Sequence, residues 1–144
     1  MIDSRELSQR AEIVDALLSY TRGIDRLDKE SVIAAFHPGA TLNNYGSDPM
    51  PIEDFVEYAL PSLEQRYSAT QHRVSNIRIE INEDQALVES YVLAYHVELG
   101  ESFKRLHTFN GRYIDTFSLS QGHWKISERF LRNDWSKVED ISEE

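Results

Sequence analysis

The chain has 144 residues, of which 40% are hydrophobic and 28% charged, a composition typical of one globular domain with a single core. It contains no cysteine, which excludes disulfides, thiolate metal sites and a cysteine nucleophile. A formal net charge of −10 argues against nucleic-acid and anionic-membrane partners, since both carry negative charge. Without an apolar run of roughly 18 residues or a signal peptide, we expect a cytoplasmic location.

The first half of the chain is predicted to form three helices. Apolar residues at helical spacing predict the first helix over about residues 4–27, and Asp28 is a typical N-cap for a short second helix. The third helix is predicted to start near Pro51 and to end at or near Pro61. A strand at 40–45 and a turn at 46–49 are predicted between the second and third helices.

The second half of the chain, from Thr70 onward, is predicted to form strands. Their lengths of roughly 10–14 residues exceed the usual 3–10, and long antiparallel strands usually curve to form a concave face. Three helices followed by a bent sheet predict an α+β fold with the helices on one face of the sheet. The acidic tail, at about 136–144, is predicted to be frayed. The predicted strands are an alternating segment with Ile77, Ile79 and Ile81, and runs at 85–99, 104–118 and 123–131.

A carboxylate lies on one apolar side of the first predicted helix. At about 100° per residue, Asp25 falls within roughly 20° of three aliphatic residues on that side. Burying a carboxylate is costly unless it is paired, and His72, near the start of a strand, is a candidate partner. Two interpretations stay open: an inward acid/base dyad, or a helix that ends near Tyr20 and leaves Asp25 in solvent. The aliphatic residues are Leu7, Val14 and Leu18.

Four more polar side chains are candidates for a pocket. Tyr45 closes the strand after the second helix, and His96 shares a strand face with small apolar residues. Arg129, in the last strand, is either a cation in the pocket or a solvent-exposed residue on the surface of the sheet. Tyr20 lies about 140° around the helix from Asp25, so only an inward-curving helix end brings both to one cavity. Packing is the alternative to a functional role for the tyrosines, and a hydrogen-bonded strand-end histidine is the alternative for His96.

Several chemistries have no motif in this sequence. It lacks a Gly-rich phosphate loop, a dinucleotide fingerprint and a Gly-x-Ser-x-Gly nucleophile elbow. His72, His96 and His107 are scattered without metal-ligand spacing, so we expect no metal site. Proton transfer without a cofactor remains, a task that an Asp–His pair and a phenol can perform.

Five short motifs follow one another along nearly the whole chain. They are Tyr-x-x-x-x-Asp at 20–25, Ala-Phe-His-Pro-Gly-Ala at 35–40, Thr-Gln-His at 70–72, Gly-Arg-Tyr-x-Asp at 111–115 and Trp-Lys-Ile-Ser-Glu-Arg at 124–129. In this order they resemble the SnoaL-like branch of the nuclear transport factor 2-like superfamily. The resemblance implies a single domain over 1–144. It also implies a cone-shaped α+β barrel, in which a strongly bent antiparallel sheet surrounds a pocket that three N-terminal helices close.

The resemblance also implies roles for the candidate residues. The chain is similar to scytalone dehydratase, bile acid 7α-dehydratase and hexachlorocyclohexane dehydrochlorinase, which use an Asp–His pair to remove a proton from carbon with elimination of a neighbouring group. By this similarity His72 is the general base and Asp25 orients its ring, while Tyr45 polarises a carbonyl or assists the leaving hydroxyl. The substrate-binding residues would be Tyr20, His96 and Arg129.

These roles predict a lyase that needs no cofactor. We expect a dehydratase-type reaction on a hydrophobic cyclic, polyketide-like or steroid-like substrate. Halide elimination is disfavoured, because the dehydrochlorinase has a lysine where this chain has Tyr20. Two alternatives stay open: a double-bond isomerase that uses the same pocket, and a non-catalytic protein that binds a small ligand.

An aromatic row suggests that the protein is an oligomer. Phe109, Tyr113 and Phe117 alternate along one predicted strand and are assigned to the outer face of the sheet, where an apolar patch requires cover. We expect a homotrimer, because the similar dehydratases are trimers, with a dimer as the alternative.

Overall fold

The computed structural model describes residues 1–46 and 49–141, and this part of the chain contains three helices and six strands. The helices are α1 (Ser4–Arg26), α2 (Lys29–Ala34) and α3 (Ile52–Arg66). The strands are β1 (Phe36–Asn43), β2 (Met50–Pro51), β3 (Ala69–Asn82), β4 (Gln85–Leu99), β5 (Lys104–Ser120) and β6 (His123–Asp140). The long strands predicted for the second half are therefore confirmed. Ser47 and Asp48, in the predicted turn, lie outside the described residues.

Helix α1 is continuous past the position of the candidate carboxylate. It begins after Asp3, whose carboxylate accepts a hydrogen bond from the backbone N–H of Glu6. It ends where Leu27 adopts a left-handed conformation. Asp25 is therefore helical, and the alternative in which the helix ends near Tyr20 is wrong.

The buried side of α1 differs from the predicted one. Leu7 and Leu18 are 57% and 49% exposed, so the predicted stripe does not face the core. Asp25 lies about 100° around the helix from the middle of the buried arc, on the side that contacts β3. The carboxylate consequently lies beside the core and not within it. The buried arc consists of Ile13, Ala16, Leu17, Tyr20, Thr21, Gly23 and Ile24.

The strands form one curved sheet in the order β2-β1-β6-β5-β4-β3, which does not close into a barrel. β1 runs parallel to β6, and the other described pairs are antiparallel. Register shifts in the β3–β4 and β5–β6 pairings increase the bend. At one of them, a Cβ on Gly111 would lie 2.1 Å from the backbone oxygen of Arg132, so this close strand approach requires glycine. With the helices packed on the concave face, the predicted α+β cone is confirmed.

The structure corrects the predicted ends of one helix and one strand. Helix α3 continues through Pro61 to Arg66, because Leu60 before the proline and Leu63 after it both pack on the core. Strand β6 continues to Asp140, whose partner in β5 is Arg105, so the predicted fraying is wrong for 136–140. Residues 142–144 lie outside the described residues. In the described part of the chain, the helices are too short or too polar to cross a membrane.

The aromatic row of β5 lies on the opposite face from the one predicted. Tyr113 and Phe117 are buried on the concave side, and Phe109 packs against the same core. The prediction that this row covers the outside of the sheet is wrong, because the concave face needs large side chains to fill the space under the helices. The convex face instead carries Leu87, Tyr91, Ile114 and Phe130, all of which are exposed.

Candidate active site

A cavity of about 270 Å³ lies between the helices and the concave face of the sheet. Its lining is mainly apolar or aromatic and comes from α1, the segment after β1, α3 and strands β3–β6. The apolar lining includes Ile24, Phe55, Leu63, Val92, Phe109 and Leu131. The polar and phenolic lining consists of Tyr20, Tyr45, Tyr58, Ser62, Arg66, His72, His96 and Tyr113.

The predicted Asp25–His72 pair is present at the wall of this cavity. Nδ1 of His72 lies 2.7 Å from Oδ1 of Asp25. The Thr70 hydroxyl donates to Oδ1 at 3.1 Å, and the His72 backbone N–H donates to Oδ2 at 2.9 Å. Strand β3 thus supplies every described hydrogen-bond partner of the Asp25 side chain. This explains why the motif at 70–72 accompanies an aspartate at the end of α1.

The hydrogen bond to Asp25 determines which nitrogen of the His72 ring carries the proton. A carboxylate accepts only, so Nδ1 carries the proton, and in the neutral ring Nε2 has the free lone pair. The His72 side chain is 10% exposed and lines the cavity. The ring is therefore a base held in one tautomer beside an apolar space.

Two phenols meet at another part of the lining. The hydroxyl of Tyr20 lies 3.4 Å from that of Tyr45, which follows β1 instead of closing it. The edge-to-face packing of Tyr45 on Phe55, with centroids 4.9 Å apart, fixes its ring. Burial raises the pKa of Tyr20 and raises that of Tyr45 well above its ordinary value. Both phenols thus remain protonated at neutral pH, and because one of them donates to the other, one O–H group is left to donate into the cavity.

His96 lies next to the base, on the neighbouring strand β4. The ring centroids of His72 and His96 are 5.3 Å apart, and the rings are nearly perpendicular. Tyr67 packs on the other side of His96 with a centroid distance of 4.8 Å. Burial, with a smaller contribution from His72, lowers the pKa of His96 to about 4. His96 is therefore a neutral lining group at pH 7.

Arg129 lies behind the tyrosines and does not line the cavity. It is fully buried and forms a bidentate ion pair with Asp115, at 2.7 Å and 2.9 Å. Its guanidinium lies 3.7 Å from the ring centroid of Tyr113 and 4.5 Å from that of Tyr20. Burial opposes the charge, but Asp115 outweighs this effect and raises the pKa of Arg129. Because its carboxylate and aromatic neighbours enclose it, the prediction of direct substrate contact is wrong for Arg129.

Sequence reasoning missed two charged residues of the site. Asp115 is directly opposite Arg129 in the β5–β6 register. It shares a strand face with the aromatic residues Tyr113 and Phe117, and this pattern was a usable signal for its burial. Arg66, in the last turn of α3, lines the mouth of the cavity. No sequence signal separated it from other exposed arginines. Over residues 1–46 and 49–141, no three His, Asp or Glu side chains are grouped closely enough to hold a metal ion.

The curved sheet, its helical cover and the enclosed pocket define a protein of the nuclear transport factor 2-like superfamily, in its SnoaL branch. The chain belongs to the SnoaL-like domain family, whose model matches residues 5–130. Among curated protein sequences, none matches the chain significantly.

Solved structures of other proteins share the fold over most of their length. The Kfla4162 protein of Kribbella flavida is 21% identical, with a TM-score of 0.80 and coverage of 90% of this chain and 93% of its own. A candidate scytalone dehydratase from Novosphingobium aromaticivorans is 25% identical, with a TM-score of 0.77 and coverage of 96% and 91%. The LinA-type3 hexachlorocyclohexane dehydrochlorinase of Novosphingobium barchaimii is 18% identical, with a TM-score of 0.77 and coverage of 94% and 92%.

Proposed function

We propose that the protein is a cofactor-independent lyase of the dehydratase type, in which His72 removes a proton from carbon of a hydrophobic cyclic substrate. The 2.7 Å hydrogen bond between Asp25 and His72 at the wall of an apolar cavity carries this proposal. A protein that only binds a ligand has no need for an oriented base, because packing alone retains an apolar molecule. The similarity to a candidate scytalone dehydratase supports an elimination reaction.

The proposed reaction is the loss of water from a β-hydroxy carbonyl compound. Nε2 of His72 takes a proton from the carbon beside the carbonyl, and Asp25 stabilises the resulting imidazolium. The phenol of Tyr45, supported by Tyr20, donates a hydrogen bond to the carbonyl oxygen, where negative charge develops. The C–H electron pair then forms the C=C bond while the C–O bond breaks. The departing hydroxide takes the proton back from His72 and leaves as water.

The cavity volume limits the substrate class. A cavity of about 150 Å³ accommodates benzene, so 270 Å³ holds one ring or two fused rings. This size favours a small polyketide-like ring system. A four-ring steroid would extend through the mouth. The neutral ring of His96 adds a hydrogen-bonding group next to the base without introducing charge.

Turnover of a β-hydroxytetralone tests the proposal, because its dehydration gives a fluorescent naphthol. We expect wild-type protein to form the naphthol and His72→Ala to lose roughly 100-fold or more of the rate. His123→Ala is the matched control, since His123 is exposed at the start of β6, and this variant should match wild type. Mass spectrometry checks the product, which must be lighter than the substrate by one water.

Each other result of this assay would lead to a different conclusion about the function. Equal rates for wild type and His72→Ala contradict the role of the base. A product with the mass of the substrate and a moved double bond identifies an isomerase instead. Saturable binding without turnover or deuterium exchange at carbon identifies a ligand-binding protein.

A further inference from the structure

The mouth of the cavity is built differently from its interior. Helix α3 lines the interior with Phe55, Ala59 and Leu63, which are apolar. A second row with a spacing of four residues also contributes to the lining and consists of Tyr58, Ser62 and Arg66. Residues four apart share one helix face, so a phenol, a hydroxyl and a guanidinium form a continuous polar edge. Tyr58 is 61% exposed, which places this edge at the solvent side of the cavity.

We propose that Arg66 binds an anionic substituent of the substrate, a carboxylate on the ring system, while the ring enters the apolar cavity. The inference extends the proposed function, on which it rests for the reaction, by naming the substrate class as a cyclic acid. Arg66 would then determine specificity for the charged substituent, while the Asp25–His72 pair carries out the reaction.

The contacts of Arg66 leave its hydrogen-bond donors available. Its guanidinium carbon lies 5.1 Å from the ring centroid of Tyr67, a cation–π contact that restrains the side chain but uses no N–H group. Among residues 1–46 and 49–141, no carboxylate lies within 4.0 Å of the Arg66 guanidinium. The rigid fork of arginine matches a carboxylate with two parallel hydrogen bonds.

The charge distribution around the cavity favours the same ligand. Its described lining includes no Asp or Glu side chain, and Arg66 is its permanent cation because His96 is neutral at pH 7. The chain as a whole carries a net charge of −10, so this cationic mouth contrasts with the general surface. A neutral ring substituent would gain less from the guanidinium than a carboxylate, which neutralises its charge.

Binding of naphthoate and naphthamide tests the inference. The two probes share ring and size and differ in charge, and calorimetry gives both dissociation constants. We expect wild type to bind naphthoate about fivefold more tightly than naphthamide, and Arg66→Gln to lose this preference. Arg73→Gln is the matched control, because Arg73 also stacks on a tyrosine ring, that of Tyr95 at 5.5 Å, but does not line the cavity.

Each outcome decides the inference. Equal affinity of wild type for the two probes, failure to bind naphthoate, or an undiminished preference in Arg66→Gln would overturn it. A thermal unfolding midpoint equal to that of wild type verifies that Arg66→Gln is folded, as expected for an exposed side chain. Because binding requires no proton transfer, a preference for naphthoate without turnover of either the tetralone or a ring-carboxylated tetralone would contradict the proposed function and leave this inference standing.

Discussion

Both carboxylate oxygens of Asp25 are occupied by donors from β3. Oδ1 faces the His72 ring and the Thr70 hydroxyl, and Oδ2 accepts from the backbone of His72. These three donors fix the orientation of the carboxylate relative to the His72 ring. In the proposed mechanism Asp25 therefore orients and stabilises the His72 ring, and Nε2 of His72 remains the proton acceptor.

The environment of His96 predicts how stability depends on pH. Folding lowers its pKa from 6.5 to about 4, so between these values the unfolded chain binds a proton that the folded chain does not. Stability from this group is fully present above pH 6.5 and is lost as the pH falls towards 4. The ring is partly exposed, which reduces the expected loss to the order of 2 kcal/mol. Urea unfolding at pH 7 and pH 4.5 should show a smaller pH dependence in His96→Gln.

A control separates this effect from general acid destabilisation. His123→Gln should have the same pH dependence as wild type, because the His123 side chain is exposed to solvent. The groups facing His96 include His72 and Tyr67, and both stay in place in the variant. Parallel curves for His96→Gln and wild type would contradict the lowered pKa.

At the scale of elements, strands β5 and β6 are joined across the concave face by the Asp115–Arg129 pair. Both side chains are fully buried, so removing one partner leaves an uncompensated charge. We expect Asp115→Asn to lower the free energy of unfolding by about 3–5 kcal/mol. The double variant Asp115→Leu with Arg129→Met should recover most of this loss, because neither charge is then buried. Chemical denaturation of the three proteins measures both effects.

A solvent-exposed Arg–Asp pair that also has two hydrogen bonds provides the control. Arg112 contacts Asp134 through two hydrogen bonds of 3.2 Å each, but both side chains are partly in water. Asp134→Asn should therefore lose much less stability than Asp115→Asn. A loss in Asp115→Asn as small as that in Asp134→Asn would show that burial adds nothing to the buried pair.

The sequence predicts elements better than it predicts which side of each is covered. Alternation and helix caps locate β3 to β6 and the start of α1, since these signals are local. The covered face depends on neighbouring elements, and apolar residues lie on both sides of α1. Leu18 thus resembled a core residue although it is exposed, and Phe117 was assigned outward although it is buried.

The sequence likewise predicted part of the candidate site, the Asp25–His72 contact, but not the surroundings of Arg129 or the place of Arg66. The Asp25–His72 contact followed from an unusual carboxylate and a family motif, and both residues lie where the resemblance implied. The enclosure of Arg129 by Asp115 and two rings depends on strand register, which the sequence does not specify. Arg66 joins the cavity only because α3 continues through Pro61, against the local preference of proline.

At the scale of the whole molecule, the convex face of the sheet carries a patch of apolar side chains that the described part of the chain leaves exposed. Ile114 and Phe130 are paired across β5 and β6, and Leu87 and Tyr91 lie on the same side of β4. Long exposed sheet faces of this kind typically bind another protein surface. We propose that this patch replaces the predicted aromatic row as the contact between copies of the chain.

Light scattering after size exclusion tests this assembly. We expect wild type to elute with the mass of three chains, following the family resemblance, and Leu87→Lys to shift towards the monomer because a lysine must be desolvated in the contact. Leu7→Lys is the matched control, since Leu7 is as exposed as Leu87, at 57% against 60%, but lies on α1 away from the convex face. A monomeric wild type contradicts the assembly. An unchanged mass for Leu87→Lys places the contact elsewhere, because a lysine buried within an apolar interface would weaken it.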